Sequence, residues 1–104
     1  MSEPKLVKIH TTFRNTEATA AIKEYAEEKL GLVIKKFVHQ NTEAHVTIKV
    51  EKNDHIAEIV FHTDGTDFAC KEKSGDMYAS IDKLVDVVAT QLRKHKEKIT
   101  AHHA

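Results

Sequence analysis

One cysteine, one proline and three glycines are all the chain has of the residues that staple, kink or loosen a backbone, and it has no tryptophan. Cys70 alone cannot close an internal disulfide, which excludes a disulfide scaffold and fits a reducing compartment. Its surroundings, "FACKEK", alternate as a strand does, so Cys70 reads as a buried or half-buried structural thiol in preference to a nucleophile. Little Gly or Pro means few breaks, and there is no Gly/Ser linker, internal repeat or low-complexity tract. A few long elements are expected. No apolar run approaches the roughly 20 residues that cross a bilayer. The N-terminus, "MSEPKLVKIH", lacks the apolar stretch of a secretory signal, and a cytoplasmic location is expected.

Catalytic signatures are missing too. There is no phosphate-cradling glycine loop, no HExxH pair and no nucleophile elbow, which argues against an enzyme. Eight histidines invite a metal, but their spacing does not support one. His39 and His45 flank a loop, His55 and His62 lie on or beside one strand, and His102-His103 sit at the C-terminus. No metal or other cofactor is expected.

What remains is a soluble globular composition: 104 residues, 40% hydrophobic and 31% charged, enough for one domain with a modest core. Residues 5–13, "KLVKIHTTF", place Val7, Ile9 and Phe13 on one side and Lys8, His10 and Thr12 on the other, as a strand does. In "NTEATAAIKEYAEEKLGLVIKKF", Ala18, Ile22, Tyr25, Leu30, Val33 and Phe37 follow helical spacing, with Asn15 or Thr16 as cap. Gly31 lowers the stability of that helix by roughly 1 kcal/mol relative to Ala without ending it. Residues 44–52 alternate as a strand, residues 55–62 read as a further strand after an Asn53-Asp54 turn, and "DFACKEK" forms a shorter strand with Phe68 and Cys70 inward. One apolar face per strand predicts a sheet that is antiparallel through these hairpins and covered on one side.

The last element starts near Asp76, a credible N-cap. Met77, Ile81, Leu84, Val85, Val88, Leu92 and Ile99 form its apolar stripe. The order is β-α-β-β-β-α, an α+β fold with two helices on one face of a four-stranded sheet. Its other face, including His45 and His62, is left to water.

Net charge is zero, 16 Lys+Arg against 16 Asp+Glu, yet the charge is divided along the chain. Residues 42–67 carry Glu43, Glu51, Asp54, Glu58, Asp64 and Asp67 against Lys49 and Lys52, a balance of −4. Residues 91–104 carry Arg93, Lys94, Lys96 and Lys98 against Glu97, a balance of +3. The first helix adds Lys29, Lys35 and Lys36. Phosphate binding depends on such local clusters, because screening confines each charge to roughly 8 Å at physiological salt. Lys83, Lys94 and Lys98 recur on one stripe of the second helix, flanked by Arg93 and Lys96. If both helices lie on one sheet face, the basic residues can share a groove or ridge between them. A nucleic-acid surface, a protein-interaction module using the bare sheet face, and a merely solvated helix end that complements the helix dipole all remain open.

The segment "DMYASIDKLVDVVATQLRKHKEK", residues 76–98, resembles the "DMYAAID" and "QL.KHK.K" hallmarks of the ribosome hibernation promoting factor family, which includes the ribosome-associated inhibitor also called factor Y. Upstream, "IKVEKNDHIAEIVFH" resembles that family's "KVEK" strand and the strand after it. The likeness covers nearly the whole chain. It implies a fold like a double-stranded-RNA-binding domain and a non-enzymatic protein that binds the small ribosomal subunit in the channel for messenger and transfer RNA. Translation is then blocked by occupancy, under stress or in stationary phase. By position it implies RNA contacts at Lys23 and Lys29 of the first helix and at Lys94, Lys96 and Lys98 of the second, with Lys35, Lys36, Lys83 and Arg93 nearby. Asp76 and Tyr78 match "DMY", where an N-cap and an aromatic helix anchor are favoured over direct RNA contact. Val87, Thr90 and Leu32 stand where family members often carry basic residues. The resemblance is to the short form: a single ribosome-binding domain over residues 1–104, without the C-terminal dimerisation domain, monomeric off the ribosome, and with residues from about 100 as a frayed tail.

Overall fold

The elements follow the expected order: β1 (Val7–Arg14), α1 (Ala20–Phe37), β2 (Thr42–Glu51), β3 (Asp54–Thr63), β4 (Thr66–Ser74) and α2 (Met77–Ala101). The structure is a computed structural model that describes residues 6–101, with side chains described through residue 98. Ile99 of the apolar stripe and the histidines at 102 and 103 therefore lie outside the described side chains. Helix α2 runs to Ala101, the last described residue.

The four strands form one sheet in the order β1-β2-β3-β4. The pairs β2–β3 and β3–β4 are antiparallel, as short hairpins require. β1 and β2 are parallel, a pairing that no hairpin makes and that the hairpin expectation left open. The chain leaves β1 through the 18-residue helix α1, and such a crossover returns it to the end where β1 began.

Strand alternation sorts the two faces. Val7, Ile9 and Phe13 of β1, Ala44, Val46 and Ile48 of β2, Ala57, Ile59 and Phe61 of β3, and Phe68 of β4 point to the helices, with Cys70 half-buried beside them. Phe61 and Phe68 are cross-strand partners whose rings stack 4.9 Å apart. Met77, Ile81, Leu84, Val88 and Leu92 of α2 close the core from above, with Val85 packed at their edge.

The contribution of α1 differs from the expected stripe. Ala26, Leu30 and Ile34 are its buried residues, while Ile22, Tyr25, Val33 and Phe37 pack at the margin. Ala18 is exposed and precedes the helix. The cap is Thr19 instead of Asn15 or Thr16, its Oγ1 accepting from the Ile22 amide at 3.2 Å. Asn15 has φ 55 in the bend after β1, a left-handed conformation that asparagine tolerates and an N-cap does not use. Asp76 caps α2 as read, its Oδ2 accepting from the Ala79 amide at 3.2 Å.

Both helices run against the strands beneath them. Glu27 meets Thr11 and Gly31 meets Ile9, so α1 runs opposite to β1. Met77 follows the end of β4 and His95 packs edge-on against Phe68 near its start, so α2 runs opposite to β4. The strands β1, β2 and β4 share one direction. The helices therefore lie side by side in the same direction, with both C-terminal ends at one end of the molecule.

The outer face is polar, with His45 and His62 exposed on it as expected. Lys49 Nζ stands 3.3 Å from Glu51 and 3.2 Å from Glu58, and these carboxylates, Glu51 first, hold its ammonium above the usual lysine range. One apolar residue departs from the pattern. Ile56 is only 4% exposed, although its register places it outward between Lys49 and Lys73, whose aliphatic stems can cover it.

Candidate nucleic-acid interface

The two helices are joined by an aromatic contact near their starts. The Tyr25 hydroxyl of α1 donates to Asp82 of α2, and the Tyr25 and Tyr78 rings meet edge to face, centroids 5.0 Å apart. That hydrogen bond, followed by partial burial and the Asp82 charge, holds the Tyr25 phenol above its ordinary value. The contact also fixes the rotation of each helix. Any side chain at helical spacing from Tyr25 on α1, or from Tyr78 and Asp82 on α2, faces the groove between them.

Lys29 and Lys36 follow Tyr25 at four and eleven positions, and so line this groove. Lys29 Nζ lies 5.7 Å from the centre of the Tyr25 ring, and Lys36 Nζ 5.8 Å from that of Phe37, both cation–π distances. On α2, Arg93 follows Asp82 by eleven positions and Lys96 follows Tyr78 by eighteen, five full turns. Counting equally from the Tyr25–Asp82 bond in two helices of the same direction brings Lys36 level with Arg93. Tyr78, 39% exposed, stands at the head of the groove.

The other expected residues lie elsewhere. Lys23 is 3.1 Å from Glu27, whose carboxylate accepts from Thr11 of β1 at 2.8 Å, and Lys35 continues the stripe Lys23, Glu27, Gly31. Both lysines therefore sit on the β1 side of α1, turned from the groove. Lys94 and Lys98 line a cleft between α2 and β4, and Lys83 shares their stripe. The expectation of one common groove is thus corrected. The ten residues occupy three places, because helical rotation carries positions 93 and 96 to one flank of α2 and positions 94 and 98 to the other.

The carbonyl ends of two parallel helices gather at one end of the molecule, and Lys35, Lys36 and Lys98 in their last turns oppose those dipoles. Val87 and Thr90 stand half-buried on α2, where Thr90 donates to the Asp86 carbonyl at 3.0 Å, and Leu32 is 61% exposed on α1. Among the described residues no group of three or more His, Cys, Asp or Glu side chains is placed to hold a metal. No described helix is long and apolar enough to cross a membrane. Sequence reasoning placed Tyr25 in the core and missed its part in the groove; its spacing from Lys29 and Lys36 carried that signal.

The sequence model of the family described as Sigma 54 modulation protein / S30EA ribosomal protein matches residues 9–100. The chain is 34% identical over 96 residues to the ribosome hibernation promoting factor of Salmonella typhimurium, covering 92% of this chain and all of that one. It is 37% identical over 91 residues to the ribosome hibernation promotion factor of Deinococcus radiodurans, covering 82% of this chain and 47% of that one. The crystal structure of the Thermus thermophilus Protein Y N-terminal domain superposes with a TM-score of 0.77 at 30% identity, covering 85% of this chain and 98% of that one. A chain with this fold, this match and relatives so named belongs to the Sigma 54 modulation protein / S30EA ribosomal protein family, in the company of the ribosome hibernation promoting factors.

Proposed function

We propose that the chain is a non-enzymatic, cytoplasmic hibernation factor that binds the small ribosomal subunit in the channel for messenger and transfer RNA and blocks translation by occupancy under stress or in stationary phase. The observation that carries this reading is the groove between α1 and α2, lined along its length by Lys29, Lys36, Arg93 and Lys96 with Tyr78 at its head. Clustered cations suit a phosphate backbone, and an exposed aromatic ring offers a base a stacking surface. The relatives support it through their names: the whole of the Salmonella protein, called a ribosome hibernation promoting factor, is matched by this chain. The protein binds as a monomer.

Phosphate-dominated binding releases counterions and weakens steeply with salt. Co-sedimentation with purified small subunits at low and high salt tests the reading. The chain is expected to pellet at low salt and to be released at high salt, and the combined variant Lys29→Glu, Lys36→Glu, Arg93→Glu is expected to stay in the supernatant while remaining folded by circular dichroism. Failure of the wild-type chain to pellet at low salt contradicts the reading. Competition with plain duplex RNA separates a ribosome-specific factor from a general double-stranded-RNA binder.

One observation favours a second reading, a protein-interaction module on the outer sheet face. Val60 is 49% exposed there, beside a depression of about 670 Å³ that His45 and His62 also line. That reading predicts binding that tolerates salt and ignores the groove residues.

A further inference from the structure

The C-terminal half of α2 packs over the tip of the β3–β4 hairpin, where His95 and Asp64 meet. Asp64 and Gly65 form the two-residue turn between the strands, with φ 51 and 72. Both are left-handed, as a type I′ hairpin turn requires, and Asp-Gly is a pair that suits it. The turn aims the Asp64 carboxylate at α2, where its Oδ2 lies 3.8 Å from His95 Nε2. The His95 and Asp64 side chains are only 17% and 23% exposed. The His95 ring stands edge-on to Phe68, centroids 5.3 Å apart, and Phe68 stacks on Phe61, so the imidazole is held against the core. Its Nε2 is buried without a hydrogen-bond partner, and so is Thr63 Oγ1 at the end of β3.

A separation of 3.8 Å is too long for a hydrogen bond, whose charge-assisted N–H···O form spans about 2.7–2.9 Å. A neutral imidazole carries one N–H and one bare nitrogen, whereas a protonated one donates from both. Proton uptake therefore turns an unsatisfied contact into an ion pair that draws the hairpin tip onto the helix. The other charges around the ring do not reverse this. Lys94 and Lys98 of α2 border the same cleft and oppose a positive ring, but both are exposed and screened by water. From β4 come Asp67, whose Oδ1 is 2.6 Å from His62 Nδ1, and the Cys70 thiol, which burial pushes above its usual range.

We infer that His95 and Asp64 form a pH-operated latch: protonation of His95 clamps the β3–β4 hairpin tip to the C-terminal half of α2, and loss of the proton releases it. Histidine is the side chain whose charge changes between about pH 5 and 8. When it gains an anionic partner on folding, it adds stability while protonated, and that stability is lost as pH rises. The clamped stretch of α2 also carries Arg93 and Lys96, so the α2 wall of the groove is firmest at the acid end. The latch belongs to the fold and stands whether or not the chain binds subunits.

Asp64→Asn removes the anion and keeps the turn, because asparagine accepts the left-handed conformation as aspartate does. Urea midpoints are measured for the wild-type chain, Asp64→Asn, His95→Gln and the double variant, in steps from about pH 8 to about pH 5.5. The other histidines titrate in every chain and cancel in the differences. The wild-type midpoint is expected to gain on that of Asp64→Asn by roughly half a molar as pH falls, at unchanged slope. In the His95→Gln background, Asp64→Asn is expected to act equally at every pH. Hydrogen exchange read by mass spectrometry is expected to show slower exchange over residues 63–66 and 93–98 in the wild-type chain than in Asp64→Asn at the acid end, and no difference at the alkaline end. A midpoint difference independent of pH overturns the latch, as does a pH-dependent difference that survives in His95→Gln, since the proton then sits elsewhere. Should His95→Gln not fold, the exchange comparison decides, and equal exchange in the two chains at the acid end overturns the latch.

Discussion

Tyr25 shows how much one side chain decides. It closes the margin of the core, bonds Asp82, meets Tyr78 and underlies Lys29, so it sets the rotation of α1 against α2. Its phenol is held above the ordinary value of 10.0, chiefly by the hydrogen bond to Asp82. A raised value means that the neutral phenol is favoured in the folded state. The stabilisation is fully present below the ordinary tyrosine range and is lost as pH rises through the raised value. Spectrophotometric titration of the two tyrosines checks this, with Tyr25→Phe isolating Tyr78. Tyr25 is expected to ionise above the ordinary tyrosine range in the wild-type chain and nearer its ordinary value in Asp82→Asn; no difference between those two chains contradicts the assignment. This contact was not legible in the sequence, because Tyr25 and Asp82 are 57 positions apart and spacing within one helix says nothing about its neighbour.

Among the elements, α2 and the three hairpin strands were the most legible. Period-two alternation fixed the inward sides of β2 and β4, and Asp76 with the stripe from Met77 to Leu92 fixed α2, because each pattern has one buried solution; β3 carries apolar residues on both faces and was legible only as a strand. Helix α1 was legible in existence and obscure at its start. Asn15, Thr16 and Thr19 are all capping types, and the length of the loop from β1 chose between them. The parallel β1–β2 pair likewise follows from the crossover helix and not from any residue in either strand. Gly31 sits inside α1 with room for a methyl group, since an added Cβ would rest 3.6 Å from Ile9 Cδ1, an ordinary contact. Gly31→Ala is therefore expected to stabilise the protein by about 1 kcal/mol, read as a raised denaturation midpoint at unchanged slope. A lowered midpoint would mean that Ile9 cannot accommodate the contact.

At the scale of the whole molecule, a neutral chain gathers basic side chains at one end because the topology brings two helix C-termini together, while part of the opposite charge is paired on the sheet. There Lys49 and Lys71 pair with Glu58, and Lys73 with Asp54. Net charge concealed this, and the charge count along the sequence exposed only half of it: the basic residues were found, but not that α2 divides them between two flanks. That division depends on which neighbours α2 packs between, α1 on one side and β4 on the other. The account's central claim is that this end of the molecule lies against ribosomal RNA in the messenger and transfer RNA channel. An electron cryomicroscopy map of the chain bound to purified small subunits tests it most directly. The account predicts density in that channel with the α1–α2 groove and the Lys94–Lys98 flank against the RNA backbone and the strand face turned away; density outside the channel, or the sheet face against the subunit, would contradict it.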